Sequence, residues 1–307
     1  MAGNGRSRFP ASERLDTHGF TGSFVSHDLR FGMLMQKGNG FRTHARSVCR
    51  RIFHLLLGRL GVRRLREHSF FGALLARPAV VADFGAHRGE FFTALKSEHS
   101  ISRALLIEAN PALAEFLQEA FGNETDIIHA ALVGENREGT ITFTRSTEPE
   151  ASSIFTEWAA AHGVADEVDV PAMDLAEALR RLGGHVDLAK FDIEGAEVEV
   201  LQTARPSDLA ACSQLTVEFH HNKQPITRRD VDRLCQRMRG EGYGIVNANW
   251  PYVDDVLFVN LRRIAAARRL RFRCRMALVN GLFVLRGAFF WSVRLLKRIR
   301  WNQLFLP

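Results

Sequence analysis

Cysteine is scarce in this chain and never paired. Cys49, Cys212, Cys235 and Cys274 are the only four in 307 residues. None stands in a C-x-x-C or zinc-type spacing, so a disulfide scaffold and a structural zinc site are not expected. The first 20 residues contain no apolar segment of the secretory kind. Both observations lead to the expectation of a cytoplasmic protein. No G-x-G-x-x-G, zinc-finger, helix-turn-helix or RNP pattern occurs, and no Asn-Pro-Pro-Tyr-like segment. Acid is absent from residues 261–307 altogether, where 12 Lys/Arg stand alone.

Charge is therefore unevenly placed. Residues 1–76 carry 13 Lys/Arg against 4 Asp/Glu, and residues 77–260 carry 16 against 30. The overall net charge of +7 hides an acidic centre between two basic ends. This divides the chain into an N-terminal extension (1–76), a central domain (77–260) and a C-terminal tail (261–307). An acidic domain repels phosphodiesters, so nucleic acid is an unfavourable partner.

The two extensions share a pattern. Residues 1–40 are rich in Gly and Ser with little periodicity, so poor order is expected there. Beyond His44, Val48, Ile52, Leu55, Leu56 and Leu60 recur at helical spacing among arginines, with breaks near Gly58 and Gly61. In the tail, the most apolar stretch, Met276–Val293, contains Arg286. A buried central arginine costs ~2.5–3.5 kcal/mol on insertion scales, which disfavours a membrane span. A helix lying in the interface is the preferred reading, with Phe289, Phe290 and Trp291 immersed and arginines on lipid phosphates. That would hold the protein to the inner face of an anionic membrane. Packing of the same residues on the domain core is the alternative.

In the central domain, strands alternate with helices. Strands are expected at Ala79–Phe84, Ala104–Glu108, Asp126–Leu132, Thr140–Thr144, Val186–Asp192, Gln214–Phe219, Tyr243–Val246 and Asp255–Asn260. Helices are expected at Glu90–Lys96, Pro111–Phe121, Leu175–Leu182, Ala196–Ala204 and Arg228–Arg239. Such alternation specifies a doubly wound parallel α/β sheet, whose ligands bind at the carboxyl ends of the strands.

Those strand ends carry the chemistry. After the first stands Asp83-Phe84-Gly85-Ala86-His87-Arg88-Gly89. The glycines allow a sharp turn and close backbone approach, and a carboxylate at the loop entrance suits an ammonium group better than a diphosphate. A ligand with an amino-acid end, such as S-adenosylmethionine, fits that pattern. Glu108 ends the second strand, where an acid can accept both ribose hydroxyls. Asn110 follows as N-cap ahead of Pro111. After the fourth strand come Asp192, Glu194 and Glu197 around Gly195. The helix dipole accounts for Glu197 but not for Asp192. Glu218, His220 and His221 follow the fifth, and His220 is a candidate base beside the acids. Asp192 with Glu218 could bridge a divalent metal, though nothing in the spacing requires one.

Together DFGAHRGEFF, IEANPA, HAALVGENREGTITF, VPAMDL, VDLAKFDIEGAEVEVLQTA and LTVEFHH resemble the FkbM-type S-adenosylmethionine-dependent methyltransferases. The likeness extends from about Ala79 to Asn260. It implies the seven-stranded class I methyltransferase fold, Rossmann-like, with Asp255–Asn260 as the antiparallel last strand. It implies that Asp83, Gly85, Ala86 and Gly89 line the methionine side, that Glu108 holds the ribose, and that Ala130 and Ala131 meet the adenine. His87-Arg88 and Phe92 depart from the family's usual pattern. The expected activity is O-methylation of a hydroxyl on a sugar or glycolipid. Asp192 and Glu194 would position or deprotonate the acceptor, and Asp192 would also adjoin the cofactor. A non-catalytic binding module and an NAD-dependent oxidoreductase are the alternatives.

Overall fold

The structure, a computed structural model, describes residues 51–134, 139–147, 152–156, 163–221 and 226–304. The expectations for residues 1–50, for part of the turn after Gly134, and for the Phe290 side chain lie outside the described residues. From Ile52 onward the chain forms one compact unit.

A seven-stranded sheet organises that unit. Its strands are β3 (Ala79–Phe84), β4 (Ile101–Glu108), β5 (Asp126–His129), β9 (Leu188–Phe191), β10 (Gln214–Glu218), β11 (Tyr243–Asn247) and β12 (Asp255–Asn260). Their spatial order is β11-β12-β10-β9-β3-β4-β5. β3 pairs in parallel with β4 and β9, whereas β12 runs antiparallel to both β10 and β11. This is the expected class I methyltransferase arrangement, with the antiparallel strand where it was placed. Consecutive apolar residues in β3, β4 and β9 are buried on both faces, as helix-covered parallel strands require.

The five helices expected in the central domain are all present, with others beside them. They are α1 (Glu90–Glu98), α2 (Pro111–Phe121), α3 (Leu175–Arg181), α4 (Glu197–Thr203), α5 (Pro206–Ala211), α6 (Arg228–Gly240) and α7 (Ala266–Leu304). Asn110 caps α2, its Oδ1 accepting from the Ala112 amide at 3.1 Å. Val231, Leu234, Cys235 and Met238 form the buried face of α6.

The strand expected over Asp126–Leu132 is in fact two. β5 stays in the main sheet. After Ala130 the chain leaves as β6 (Ala131–Val133), which joins β7 (Thr140–Ser146) and β8 (Val164–Asp174) in a separate three-stranded sheet. The run of apolar residues conceals this change of partner. Ala130 and Leu132 pack into the main core, while Ala131 and Val133 pack with Phe143 and Val170. β8 has no counterpart in the sequence reading, because its acids and Pro171 read as loop. α5 is a further element not foreseen.

The boundaries at 77 and 260 also shift. Residues 51–59 are helical, followed by a hairpin of β1 (Val62–Leu65) and β2 (His68–Phe71) that packs on β10 and β12. Gln214 clamps the hairpin: its Oε1 accepts from Phe71 N and its Nε2 donates to Phe71 O. From the tail, Phe272, Met276, Val279 and Phe283 enter the same core cluster as the hairpin and β12. Their spacing is one face of a helix. The Phe71 and Phe272 rings meet at 4.8 Å. Asn280 bonds the backbone of Asn247 and Ile245 in β11. No described helix is long and apolar enough to cross a membrane.

Candidate active site

A cavity of ≈ 1000 Å³ opens at the carboxyl ends of the parallel strands. Gly85, Ala86, Glu108, Asn110, Ala131, Asp192, Glu194 and His220, eight of the residues expected from sequence, line it. Among the described residues, six carboxylates line it against three Lys/Arg side chains (Arg66, Arg88 and Lys190), so these walls favour a cation.

Two of the expected cofactor residues do not reach this cavity. Asp83 is fully buried beneath it, with its Oδ1 3.2 Å from Lys190 Nζ. The ammonium it meets belongs to its own chain. Gly89 instead begins α1 with φ +70°, and a Cβ there would lie 2.6 Å from the Phe121 ring. Its role is helix packing. Gly85 serves both purposes. A Cβ on it would fall 1.8 Å from Asp192 O, so only glycine lets the β3 and β9 loops touch. The Gly85 and Ala86 amides both donate to Ile107 O. They are therefore not an open cradle for a diphosphate, which counts against the dinucleotide reading.

Glu108 projects from the end of β4 between two backbone donors. His87 N reaches Oε2 at 2.8 Å and Asn110 N reaches Oε1 at 2.9 Å. Burial pushes its carboxyl above the usual range, and the two amides oppose that. His87 itself adopts the left-handed conformation, φ +52°.

The K-x-D-x-E segment folds into a charge network. Lys190 at the end of β9 donates to Gly85 O and sits 3.2 Å from Asp83 and 3.4 Å from Asp192. Burial works against its charge, but the two carboxylates outweigh it and hold the ammonium above the usual lysine range. Burial likewise opposes ionisation of Asp192, yet Lys190 and His68 hold its carboxyl well below the usual range.

Glu194 follows on a left-handed backbone, φ +52°, with its carbonyl accepting from Ser153 Oγ. Burial lifts its carboxyl to about 8, with His220 pulling the other way. Glu218, at the end of β10, is pushed up to about 7 by burial and by Asp192. His220 lies against three carboxylates: Glu197 at 2.9 Å, Glu194 at 3.3 Å and Asp192 at 3.8 Å. Burial disfavours its charge, but these acids prevail and raise its pKa to about 10. His220 is thus a cation at neutral pH, the reverse of the base expected from sequence.

Three contributors were missed or undervalued. His68 arrives from the hairpin, buried, with Nε2 3.7 Å from Asp192; burial lowers its pKa. Nothing near His68 in sequence signals that placement. Lys190 lies inside the motif but received no role. Glu197 does more than meet a helix dipole: its Oε1 accepts from Ile193 N, Gly195 N and His220 Nδ1, which shapes the loop carrying Glu194. Two trios place ligand atoms within 4.8 Å of one another, His68–Asp192–Glu218 and Asp192–Glu194–His220. Either has the donor set and spacing for a divalent cation.

The family model of the FkbM methyltransferase domain matches residues 83–245, more than half of the chain. This chain belongs to the FkbM methyltransferase family. No protein of curated function matches it significantly. Among solved structures it is similar to the FkbM methyltransferase of Methylobacillus flagellatus, at 18% identity and TM-score 0.42, covering 62% of this chain and 46% of that one. The chain thus spans just under half of that relative. It is also similar to precorrin-6y C5,15-methyltransferase of Geobacter metallireducens (13% identity, 60% and 80% coverage, TM-score 0.31). A third is the fibrillarin pre-rRNA processing protein of Methanococcus jannaschii (11%, 65% and 69%, TM-score 0.36). The fold assignment rests on the strand order, and the family on the matched domain.

Proposed function

We propose that this protein uses S-adenosylmethionine to methylate a hydroxyl group of a sugar or glycolipid. The observation that carries the reading is the acid-lined cavity at the strand ends, with Glu108 on one side and the Asp192–Glu194–His220 group on the other. A donor with a sulfonium and an ammonium suits walls of this charge. Glu108, held by two amides, has lone pairs left for ribose hydroxyls. Ala130, Ala131, Leu132, Phe143 and Ile154 supply an apolar wall for a flat base. Asp83 is fully buried beneath the cavity whereas Asp192 lines it, so Asp192 is the ionised carboxylate that faces the cationic end of the donor.

S-adenosylmethionine supplies an activated methyl group when bound, so the chain's own part is to align, desolvate and deprotonate the acceptor. Glu194 takes the acceptor proton, because its carboxyl titrates near neutrality, where a general base works best. His220 remains protonated and holds Glu194 in place, while Glu197 fixes the His220 ring and the Glu194 loop. A polyhydroxyl acceptor fits a rim with several half-buried carboxylates, each able to accept from a hydroxyl.

The test is transfer of an isotope-labelled methyl group from the donor into glycan, lipid and protein fractions of a cell extract. Label in the glycan or glycolipid fraction, surviving mild base that cleaves esters, is expected. Label confined to protein or nucleic acid would overturn the acceptor assignment. No transfer to any fraction by protein that binds the donor would favour a binding module.

A further inference from the structure

A second cavity lies at the opposite end of the parallel strands. Arg77 stands two residues before β3, and His99 two residues before β4. With Arg59 and Arg63 they line a space of ≈ 530 Å³. No carboxylate among the described residues lines it; Glu98, felt by His99, is the neighbouring acid. His99 Nε2 is buried there with no hydrogen-bond partner among the described residues. Three arginines converging on one pocket without an acid suit a phosphate group.

Apolar surface surrounds this pocket. Leu55 lines it and is 57% exposed. Gly61, at its edge, lies beside Arg275 of the tail helix, and the Phe53 ring packs on Phe283 at 5.3 Å. The helix of residues 51–59 and the tail helix are therefore neighbours. One turn beyond Arg275 is Leu278, 61% exposed; two turns further is Leu285, 68% exposed. The opposite face of the tail helix, through Phe272, Met276, Val279 and Phe283, is already buried. So α7 has two apolar faces and only one has a partner among the described residues. Arg268, Arg271 and Arg273 are exposed along the same helix, and no acid occurs from Leu261 onward.

We propose that the surface formed by residues 55–63 and α7 docks on an anionic bilayer, with a lipid headgroup phosphate among Arg59, Arg63 and Arg77, and Leu55, Leu278 and Leu285 in the acyl boundary. Charge decides between occupants. A second copy would set this basic end against an equally basic one, whereas an anionic bilayer complements it. Apolar residues with flanking arginines are also the composition of interfacial helices. The proposal stands apart from the catalytic reading, because its assay measures partitioning and no methyl transfer.

The experiment is co-sedimentation of the full chain with phosphatidylcholine vesicles, with and without about one third phosphatidylglycerol. Binding to the anionic vesicles alone is expected. Each basic side chain near such a surface changes partitioning about fivefold, so Arg59→Glu with Arg63→Glu should lower it roughly 25-fold or more. Leu278→Ser with Leu285→Ser should lower it comparably, through a different part of the surface. These positions are exposed, so unchanged thermal midpoints are expected and are measured alongside. If either pair unfolds the protein, Leu55→Ser provides the same test in the pocket rim. Absence of vesicle binding by the wild type overturns the proposal, as does binding that both double variants retain. Complete displacement by millimolar inorganic phosphate overturns it in favour of a soluble anion. A wild-type dimer that Leu278→Ser with Leu285→Ser separates, without loss of vesicle binding, overturns it in favour of a second copy.

Discussion

At the carboxyl ends of β3, β9 and β10, each charged side chain has charged neighbours: Asp83, Lys190, Asp192, Glu194, Glu197 and His220 form one chain of contacts. At the amino ends of β3 and β4, Arg59, Arg63 and Arg77 line a pocket that has no carboxylate among the described residues. The contrast is one of coupling. In the first region the ionisation of each group depends on the next, so a single substitution changes several pKa values. In the second, cations stand side by side and their effects on an external surface should add.

The largest expected effect breaks the coupled end. Glu194→Gln should reduce kcat by ~10²–10⁴-fold, the usual contribution of a general base, while donor affinity is kept. Unchanged turnover would remove Glu194 from the chemistry. Its combination with His220→Gln should fall well short of the product of the two single effects, because the groups act together. Phe283→Ala tests the other region. Phe283 is 1% exposed in the core, so its loss should cost about 3–5 kcal/mol of stability in denaturant unfolding. A neutral result would return α7 to the status of an appendage.

Glu108→Gln is a smaller, cleaner probe. It keeps the shape but removes the charge, and should weaken donor binding by about 1.5–3 kcal/mol in calorimetry. The pH profile sharpens the picture further. Activity as kcat/KM should rise as Glu194 loses its proton near 8 and fall as His220 loses its own near 10. Glu194→Gln should abolish the lower limb and move the upper limb to lower pH, because Glu194 is one of the acids that raise His220. Stability follows linkage. Glu194, Glu218 and His220 have raised folded-state values, so their stabilisation is present at low pH and is lost as pH rises through about 7, 8 and 10. Asp192 acts in the opposite sense, its contribution being lost as pH falls through its depressed value. The smallest effect belongs to the basic end. Leu285→Ser should change stability by no more than about 0.5 kcal/mol, as for other exposed positions.

The same contrast explains what could be read from the chain. β3, α2, α6 and β12 were legible because burial on one or both faces imposes a periodicity and a cap on consecutive residues. The strand-end residues were legible because each motif lies within a few positions of its strand. β8 was not, since an acidic strand with Pro171 has the composition of a loop. Asp83 was misread for a physical reason: sequence places it at the strand end but does not reveal Lys190 beneath the rim. His220 shows the limit most clearly. Its position was readable, but its protonation depends on Glu197, which lies 23 residues away. His68 and the buried half of α7 are products of tertiary packing alone, and no local pattern distinguishes them from a basic extension.

The central claim is that the acid-lined cavity holds a cationic methyl donor. Calorimetric titration of the full chain with S-adenosylmethionine, with NADH as control and Glu108→Gln in parallel, tests it most directly. The account requires saturable binding of the donor, weakened by Glu108→Gln, and none of NADH. Heat from NADH alone, or donor binding untouched by Glu108→Gln, would contradict it.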